Sequence, residues 1–367
     1  MHFGALVAWD QEVILLLPLP LLLSVNLGRR PDAAGLRVFN QVLLLALPSV
    51  LAMIGLLDAV AATGHPALVV AGVGLLATGA LALAAQSSAV SDWLRRLLPY
   101  DPTNQVHTLA LVLTVAVVGT QLTTQLTSDV LASAAGGGAL SRTDLVLQEL
   151  PFLLSALVGV GWLTHRSFGE VASRLGYARP RWWHVLLALA AAGAFYAFGT
   201  GMDWLAQHLT PDLAHRVGAA NNRLFGSLAD PVGIVTLAVV PGLCEEALFR
   251  GALQPRLGLA WTAFVFAAVH TQYGLSLDAL AVLVLALGLG VLRHYTNTTT
   301  TTICHVVYNG LVGFGIGWLG GGGPALAVEG ALVGGLALAA VVQSRRHDHS
   351  RAIVLTGEGV GSGDRAQ

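Results

Sequence analysis

Long apolar runs, broken by short polar segments, dominate the chain from near its first residue to about residue 343. A helix needs about 20 apolar residues to cross the hydrocarbon core of a bilayer. Ten runs approach that length, and a shorter one, 258–273, is a candidate short span. The pattern therefore predicts an all-α, polytopic helical membrane protein. Its eleven or so transmembrane helices are expected at 7–28, 38–62, 67–90, 106–126, 145–165, 184–206, 231–254, 258–273, 275–293, 299–319 and 324–343.

Composition supports the membrane assignment. The chain has 367 residues, of which 55% are hydrophobic and only 11% are charged, against about 25% charged residues in soluble domains. The formal net charge of -1 argues against a nucleic acid as a partner. The two cysteines, Cys244 and Cys304, both lie in apolar runs, and two thiols are too few for a disulfide framework. We therefore expect both to be small buried residues.

The basic residues, all of them arginine, predict the orientation of the spans. They cluster in alternate connections: after the first, third, fifth, seventh, ninth and eleventh spans. Arg142, Arg216 and Arg223 are exceptions, in longer connections that carry less weight. Short cytoplasmic connections are enriched in basic residues. We therefore expect a multi-pass protein of the cell membrane with its N-terminus outside and its C-terminus in the cytoplasm.

Changes in composition divide the chain into three parts. The polar, basic segment 166–184 separates an N-terminal transmembrane region of unknown role, 1–165, from a C-terminal domain, 166–343. The tail, 344–367, is polar and rich in glycine, so we expect it to be disordered. A threonine-rich run at 296–302 is expected to open the tenth span, with its hydroxyl groups capping the helix.

The sequence PGLCEEALFR, residues 241–250, places two carboxylates and a guanidinium in the seventh predicted span. On an α-helix, Glu246 and Arg250 share one face and can form an ion pair. Glu245 is turned about 100° from Glu246 on the same helix. Ionisable residues inside a membrane are costly, so they are candidates for function.

Two further spans carry polar residues at matching depths. His270 follows Phe266 by four residues in the eighth predicted span, and Asn309 follows His305 by four in the tenth. The helical rise places Glu245 about 15 Å from the cytoplasmic end of its span, and His270, His305 and Asn309 about 18, 10 and 16 Å deep. These residues therefore converge on the inner half of the bilayer, which favours a shared site over separate polar contacts.

Three other charged residues lie in or near spans without an evident partner in the sequence: Asp58, Glu149 and Glu329. We expect them to make polar contacts between helices or to mark the ends of spans. No His-Glu-x-x-His pattern occurs, so a zincin-type metal helix is absent.

The ordered motifs EEALFR (245–250), FVFAAVH with Phe266 and His270, and HVVYN (305–309) resemble the CPBP family. This family comprises the CAAX proteases and bacteriocin-processing enzymes, with the Ras-converting endopeptidases and abortive-infection membrane proteases. The motif core covers about 225–320. The resemblance implies a CAAX-protease-like C-terminal bundle and a glutamate-dependent intramembrane endopeptidase, a hydrolase acting in proteolysis.

The resemblance also implies residue roles. Glu245 and His270 would hold and deprotonate a water molecule that attacks the scissile carbonyl. His305 and Asn309 would stabilise the oxyanion, a task that an imidazole and an amide can perform in a site of low dielectric constant.

The remaining motif residues imply support for that chemistry. Glu246 and Arg250 would form a pair that orients Glu245. We expect no cofactor, because an amide and an arginine suit an oxyanion and an ion pair better than a metal shell. Zinc is the alternative: in a metal-dependent enzyme, Glu245, His270 and His305 would be the ligands.

Two other functions compete with proteolysis. One is a proton-coupled transporter that relays protons through buried Glu and His residues. The other is a catalytically silent CPBP-like protein that acts by binding, for instance in immunity to a peptide toxin. A relay needs polar residues across the whole bilayer, whereas these cluster at one depth. The expected partners are therefore a peptide or membrane-protein substrate and the lipid bilayer.

Overall fold

The predicted all-α class is confirmed. The computed structural model describes residues 16–62 and 64–315, is 82% helical, and forms no β-strand in these ranges. The eleventh predicted span (324–343), Glu329 and the tail (344–367) lie outside the described residues, as do the ends of the first and tenth spans.

Fifteen α-helices follow one another in the described ranges. They are α1 (Pro18–Leu27), α2 (Ala34–Ala61), α3 (Pro66–Ala84), α4 (Ser88–Leu97), α5 (Gln105–Thr127), α6 (Val130–Gly136), α7 (Arg142–Gly159), α8 (Phe168–Arg174), α9 (Trp182–Leu209), α10 (Pro211–Phe225), α11 (Pro231–Glu245), α12 (Gln254–Leu257), α13 (Leu259–Val269), α14 (Leu277–Tyr295) and α15 (Thr298–Gly313). A π-helical segment, Glu246–Leu253, joins α11 to α12 without a break.

Six helices in the described part of the chain are long and apolar enough to cross a membrane. They are α2, α3, α5, α9, α14 and the continuous helix Pro231–Leu257. The predicted spans at 145–165, 258–273 and 299–319 appear as α7, α13 and α15. Of these, α7 carries three charged residues, and α13 and α15 have 11 and 16 residues. The protein is thus a multi-pass helical membrane protein, but the count of eleven spans is not confirmed.

In the N-terminal region, α2 and α3 form a tightly packed hairpin. A Cβ atom added at Gly72 would lie 2.4 Å from the Ala59 backbone nitrogen, and one at Gly55 would lie 2.3 Å from that of Leu76. Such contact between backbones is how small residues join helices where lipid removes the hydrophobic driving force. The outer face of the hairpin is apolar and exposed, as lipid contact requires.

The C-terminal bundle surrounds the residues singled out by the sequence. Phe249, Phe266 and Ala286 form a buried cluster that joins the π-helical segment to α13 and α14. The segment before α9 is held to the start of α15, because the Thr298 hydroxyl donates to the Leu175 carbonyl at 2.5 Å. These contacts fix the start of the helix that carries His305.

The expected capping of α15 by threonine is wrong. The cap is Asn297, whose side-chain oxygen accepts from the Thr300 backbone N–H at 2.9 Å. Thr298, Thr300 and Thr301 are fully buried instead. Asparagine is at least as good a cap as threonine, which leaves the Thr298 hydroxyl free to bind the segment before α9.

Candidate active site

The helix that carries both glutamates is regular at its start and wide at the site. Asp230 caps α11 by accepting hydrogen bonds from the backbone N–H groups of Val232 and Gly233. From Glu246 the helix widens into the π-helical segment, so the α-helical geometry expected there is not observed. Single π-helical turns occur frequently at functional sites. Here the widening begins at the peptide bond between Glu245 and Glu246.

Glu246 and Arg250 form a buried ion pair. The Arg250 Nη1 atom lies 3.3 Å from Glu246 Oε1, and the two side chains are 1% and 0% exposed. The Arg250 Nη2 atom also donates to the Ala286 carbonyl at 3.2 Å, and the guanidinium lies 4.5 Å from the centre of the Phe266 ring. A buried carboxylate is strongly destabilising without such a partner. The pair therefore fixes Glu246 as a carboxylate.

His305 on α15 lies between the two glutamates. Its Nδ1 atom is 3.1 Å from Glu246 Oε1, and its Nε2 atom is 3.8 Å from Glu245 Oε2. A carboxylate can only accept hydrogen bonds, so Nδ1 must carry the proton that joins His305 to Glu246. In the neutral ring, Nε2 is then an acceptor that faces Glu245.

His270 lies at the C-terminal end of α13, stacked on Phe266 with 4.5 Å between ring centres. Its Nδ1 atom is 2.7 Å from the Phe266 carbonyl oxygen, which can only accept, so Nδ1 is again the donor. The Nε2 atom faces Glu245 Oε1 at 3.8 Å. Both imidazoles thus present the same nitrogen to the same carboxylate.

Glu245 is therefore the centre of the site. Its side chain is 6% exposed, and its two oxygens each face one imidazole Nε2 at 3.8 Å. That distance is too long for a direct hydrogen bond. Three hydrogen-bond acceptors, the Glu245 carboxylate and the two imidazole Nε2 atoms, therefore face one small space. A water molecule suits this space because it can donate hydrogen bonds to acceptors.

Five of the six residues selected from the sequence form one connected set, in which Glu246 and Arg250 are linked to Glu245 through His305, and Asn309 stands apart. The Asn309 amide donates to the Leu237 carbonyl at 3.4 Å, and no hydrogen bond joins it to the other five among the described residues. Asn309 lies one helical turn beyond His305 on α15. Among the residues described, no set of three or more His, Cys, Asp or Glu side chains is arranged to hold a metal ion.

One buried carboxyl group, expected from the sequence only to make a polar contact between helices or to mark the end of a span, lies near the site. Glu149 on α7 is 9% exposed, and its Oε2 atom has no hydrogen-bond partner among the described residues. The sequence shows this glutamate in an apolar run, but that position indicates a functional role only once its partner is known. The cysteines behave as expected: Cys244 and Cys304 are free and buried.

The fold and this centre define the class: a helical multi-pass membrane protein with glutamate, histidine and arginine buried in its C-terminal bundle. Within that class, residues 227–311 match the family described as Rce1-like, the Type II CAAX prenyl endopeptidase Rce1-like proteins. The match covers all three motifs, so the resemblance seen in the sequence is confirmed for this segment.

One curated protein is also similar to part of the chain. The chain is 36% identical over 118 residues to "Uncharacterized protein YpbD" of Bacillus subtilis (strain 168). The alignment covers 31% of this chain and 57% of that protein, so the chain spans little more than half of its relative. No solved structure matches the chain significantly.

Proposed function

We propose that this protein is a glutamate-dependent intramembrane endopeptidase that hydrolyses a peptide bond in a peptide or membrane-protein substrate. The observation that carries the proposal is the position of the Glu245 carboxylate, buried and faced by the Nε2 atoms of His270 and His305 at 3.8 Å each. The match of residues 227–311 to the Rce1-like family supports it.

In the proposed mechanism, Glu245 is the general base. It takes a proton from a water molecule held against it with the help of His270, and the hydroxide adds to the scissile carbonyl carbon. The same proton then passes to the departing amine as the C–N bond breaks. A base within hydrogen-bond reach of its water contributes typically 10²–10⁴-fold in rate.

The oxyanion is stabilised from α15. In its imidazolium form, with a second proton taken from solvent before the substrate binds and kept through the reaction, the His305 ring donates to the oxyanion through Nε2. The Glu246 carboxylate on Nδ1 stabilises that imidazolium, as the aspartate of a Ser-His-Asp triad does. Asn309 adds a second donor when its amide turns from the Leu237 carbonyl toward the substrate. Arg250 keeps Glu246 ionised, and so positions His305 without touching the substrate.

The direct test is cleavage. Purified protein in detergent or nanodiscs is incubated with a peptide library, beside Glu245→Gln, and the products are identified by mass spectrometry. Cleavage by the wild type alone supports the proposal. No cleavage, together with Glu245-dependent proton uptake by proteoliposomes, would favour a transporter instead.

The proposed reaction uses no metal ion. Activity should therefore survive dialysis against a strong chelator. Loss of activity that only added zinc restores would assign Glu245, His270 and His305 as metal ligands instead, since imidazole nitrogens and a carboxylate oxygen are the atoms that bind zinc.

We further propose that the N-terminus faces outward and that the site opens to the cytoplasm or the inner leaflet. The substrate would then be a cytoplasmic-side or juxtamembrane segment. Arg96 and Ala139 are exposed on opposite sides of α5 along the chain, and the native cysteines are buried. In intact cells, a membrane-impermeant maleimide should label Ala139→Cys and not Arg96→Cys, whereas the reverse pattern would invert the topology.

A further inference from the structure

Glu149 is the one buried carboxyl group near the site to which the proposed mechanism gives no role. It lies on α7, outside the matched segment 227–311, with its Oε2 atom buried and unpartnered among the described residues. A buried polar group without a partner costs free energy. Replacement of such groups by apolar side chains is often neutral or stabilising, so a role beyond packing is needed to explain a glutamate there.

The packing of α7 against the helix that carries Glu245 explains where Glu149 lies. The starts of the two helices are joined, since Arg142 at the start of α7 binds the Asp230 cap at 2.6 Å. Further along, Ala156 and Leu157 of α7 share a buried cluster with Ala247. Contacts at both ends show that the two helices run side by side in the same direction.

One aromatic contact shows how α7 and the helix that carries Glu245 are aligned along their axes. Phe152 on α7 packs edge-to-face against Phe249, with 6.0 Å between ring centres. Glu149 lies about one helical turn before Phe152, and Glu245 lies about one turn before Phe249. Two parallel helices in this register bring the two carboxyl groups to the same level.

The two carboxyl groups share an unmet need for a hydrogen-bond partner, since the Oε2 atoms of both are buried without one in the described residues.

We propose that Glu149 is a positioning residue for Glu245, contributed to the site by the N-terminal region. As a neutral carboxylic acid it donates a hydrogen bond that reaches Glu245 Oε2 through one water molecule. That bond orients the carboxylate so that its other oxygen can serve as the base. This inference rests on the proposed function, because it assigns Glu149 a part in the same reaction.

Three variants separate positioning from packing. Glu149→Gln keeps a donor of nearly the same shape, whereas Glu149→Leu keeps the volume and removes every polar atom. Gln148→Leu is the matched control, since Gln148 is half-buried on the same helix and turned about 100° away. For each variant, kcat, KM and the unfolding temperature are measured with one peptide that the wild type cleaves.

The positioning role has a specific signature. Glu149→Leu should lower kcat about 10- to 100-fold, as loss of a hydrogen bond to a charged group does, with KM and the unfolding temperature unchanged or the latter raised. Glu149→Gln and Gln148→Leu should keep nearly the wild-type kcat. A Glu149→Leu enzyme with wild-type kcat, or equal losses in the Gln and Leu variants, would overturn the role while leaving the protease proposal intact.

A second measurement decides the case if the wild type cleaves no peptide, an outcome that counts against the proposed function. The unfolding temperatures of Glu149→Leu, Glu245→Leu and the double variant form a cycle. Residues in contact give non-additive shifts, whereas independent residues give additive ones. Additive shifts would overturn the pairing of Glu149 with Glu245, and non-additive shifts would support it.

Discussion

The N-terminal hairpin and the C-terminal bundle keep helices together in different ways. In the hairpin, α2 and α3 meet through Gly55, Gly72 and Gly79, and only 17% of the most apolar part of α2 is buried. In the bundle, 56% of the corresponding part of Pro231–Leu257 is buried, and Glu246 and Arg250 lie in its interior. One region presents apolar surface to lipid, and the other surrounds charged groups with protein.

The difference shows what a polar site requires inside a membrane. Hydrocarbon cannot solvate an ionised side chain, so protein must supply every partner. The bundle supplies many of them with an ion pair, two histidines and the carbonyls of Phe266 and Ala286. Close contact between backbones holds the hairpin together but offers no partner for a charge.

Loss of the general base should have the largest effect. Glu245→Gln keeps the size of the side chain and removes the carboxylate, so the cleavage rate should fall about 10²–10⁴-fold. Asp58→Asn makes the same chemical change in the hairpin and serves as the control, with activity expected near that of the wild type. Equal losses in both variants would show that charge in general, rather than this site, supports activity.

Next in size is removal of the buried cation. Arg250→Ala leaves Glu246 unpaired in the interior, and breaking a buried pair typically costs about 3–5 kcal/mol. The variant should accumulate poorly and unfold at a lower temperature in a thermal scan in nanodiscs. A variant as stable and as active as the wild type would remove the supporting role of the pair.

A change in the hairpin should affect stability and leave catalysis alone. The side chain of Gly72→Leu would meet the Ala59 backbone, and overpacking of this kind costs about 1–3 kcal/mol. Gly35→Leu is the control, because nothing lies within 4 Å of a Cβ atom at that position. Cleavage per folded molecule should stay constant in both, and a selective loss in Gly72→Leu would couple the two regions.

The smallest effect is expected at an exposed ion pair. Arg216 binds Asp129 at 2.5 Å with about half of each side chain exposed. Surface pairs contribute about 0–1 kcal/mol, so Arg216→Ala should barely move the unfolding temperature. A shift as large as that of Arg250→Ala would mean that burial does not set the strength of ion pairs in this protein.

Much of this arrangement is visible in the sequence. Helical spacing and apolar runs predicted the all-α class, and the expected convergence of Glu245, His270 and His305 agrees with their contacts. Spacing along one helix also predicted the pairing of Glu246 with Arg250. These features depend on the spacing of residues along a helix, which can be read from the sequence.

Features that depend on contacts between distant segments were not predictable. The packing of α7 beside the helix that carries Glu245 includes the contact of Phe152 with Phe249, 97 residues apart in the numbering. Next to the Asn297 cap, Thr298 binds the carbonyl of Leu175, 123 residues away. The hydrogen bond of Asn309 to Leu237 likewise requires the position of a second helix.

The shortness of α13 has a consequence for the electric field at the site. Its 11 residues rise only about 16 Å, roughly half of a bilayer core, so the helix ends deep inside, at His270. The end of a helix carries the equivalent of about half a negative charge. Here that charge lies beside the site, and His270 meets it by donating to the Phe266 carbonyl. The truncated helix thus points the negative end of its dipole at the site that holds Glu245.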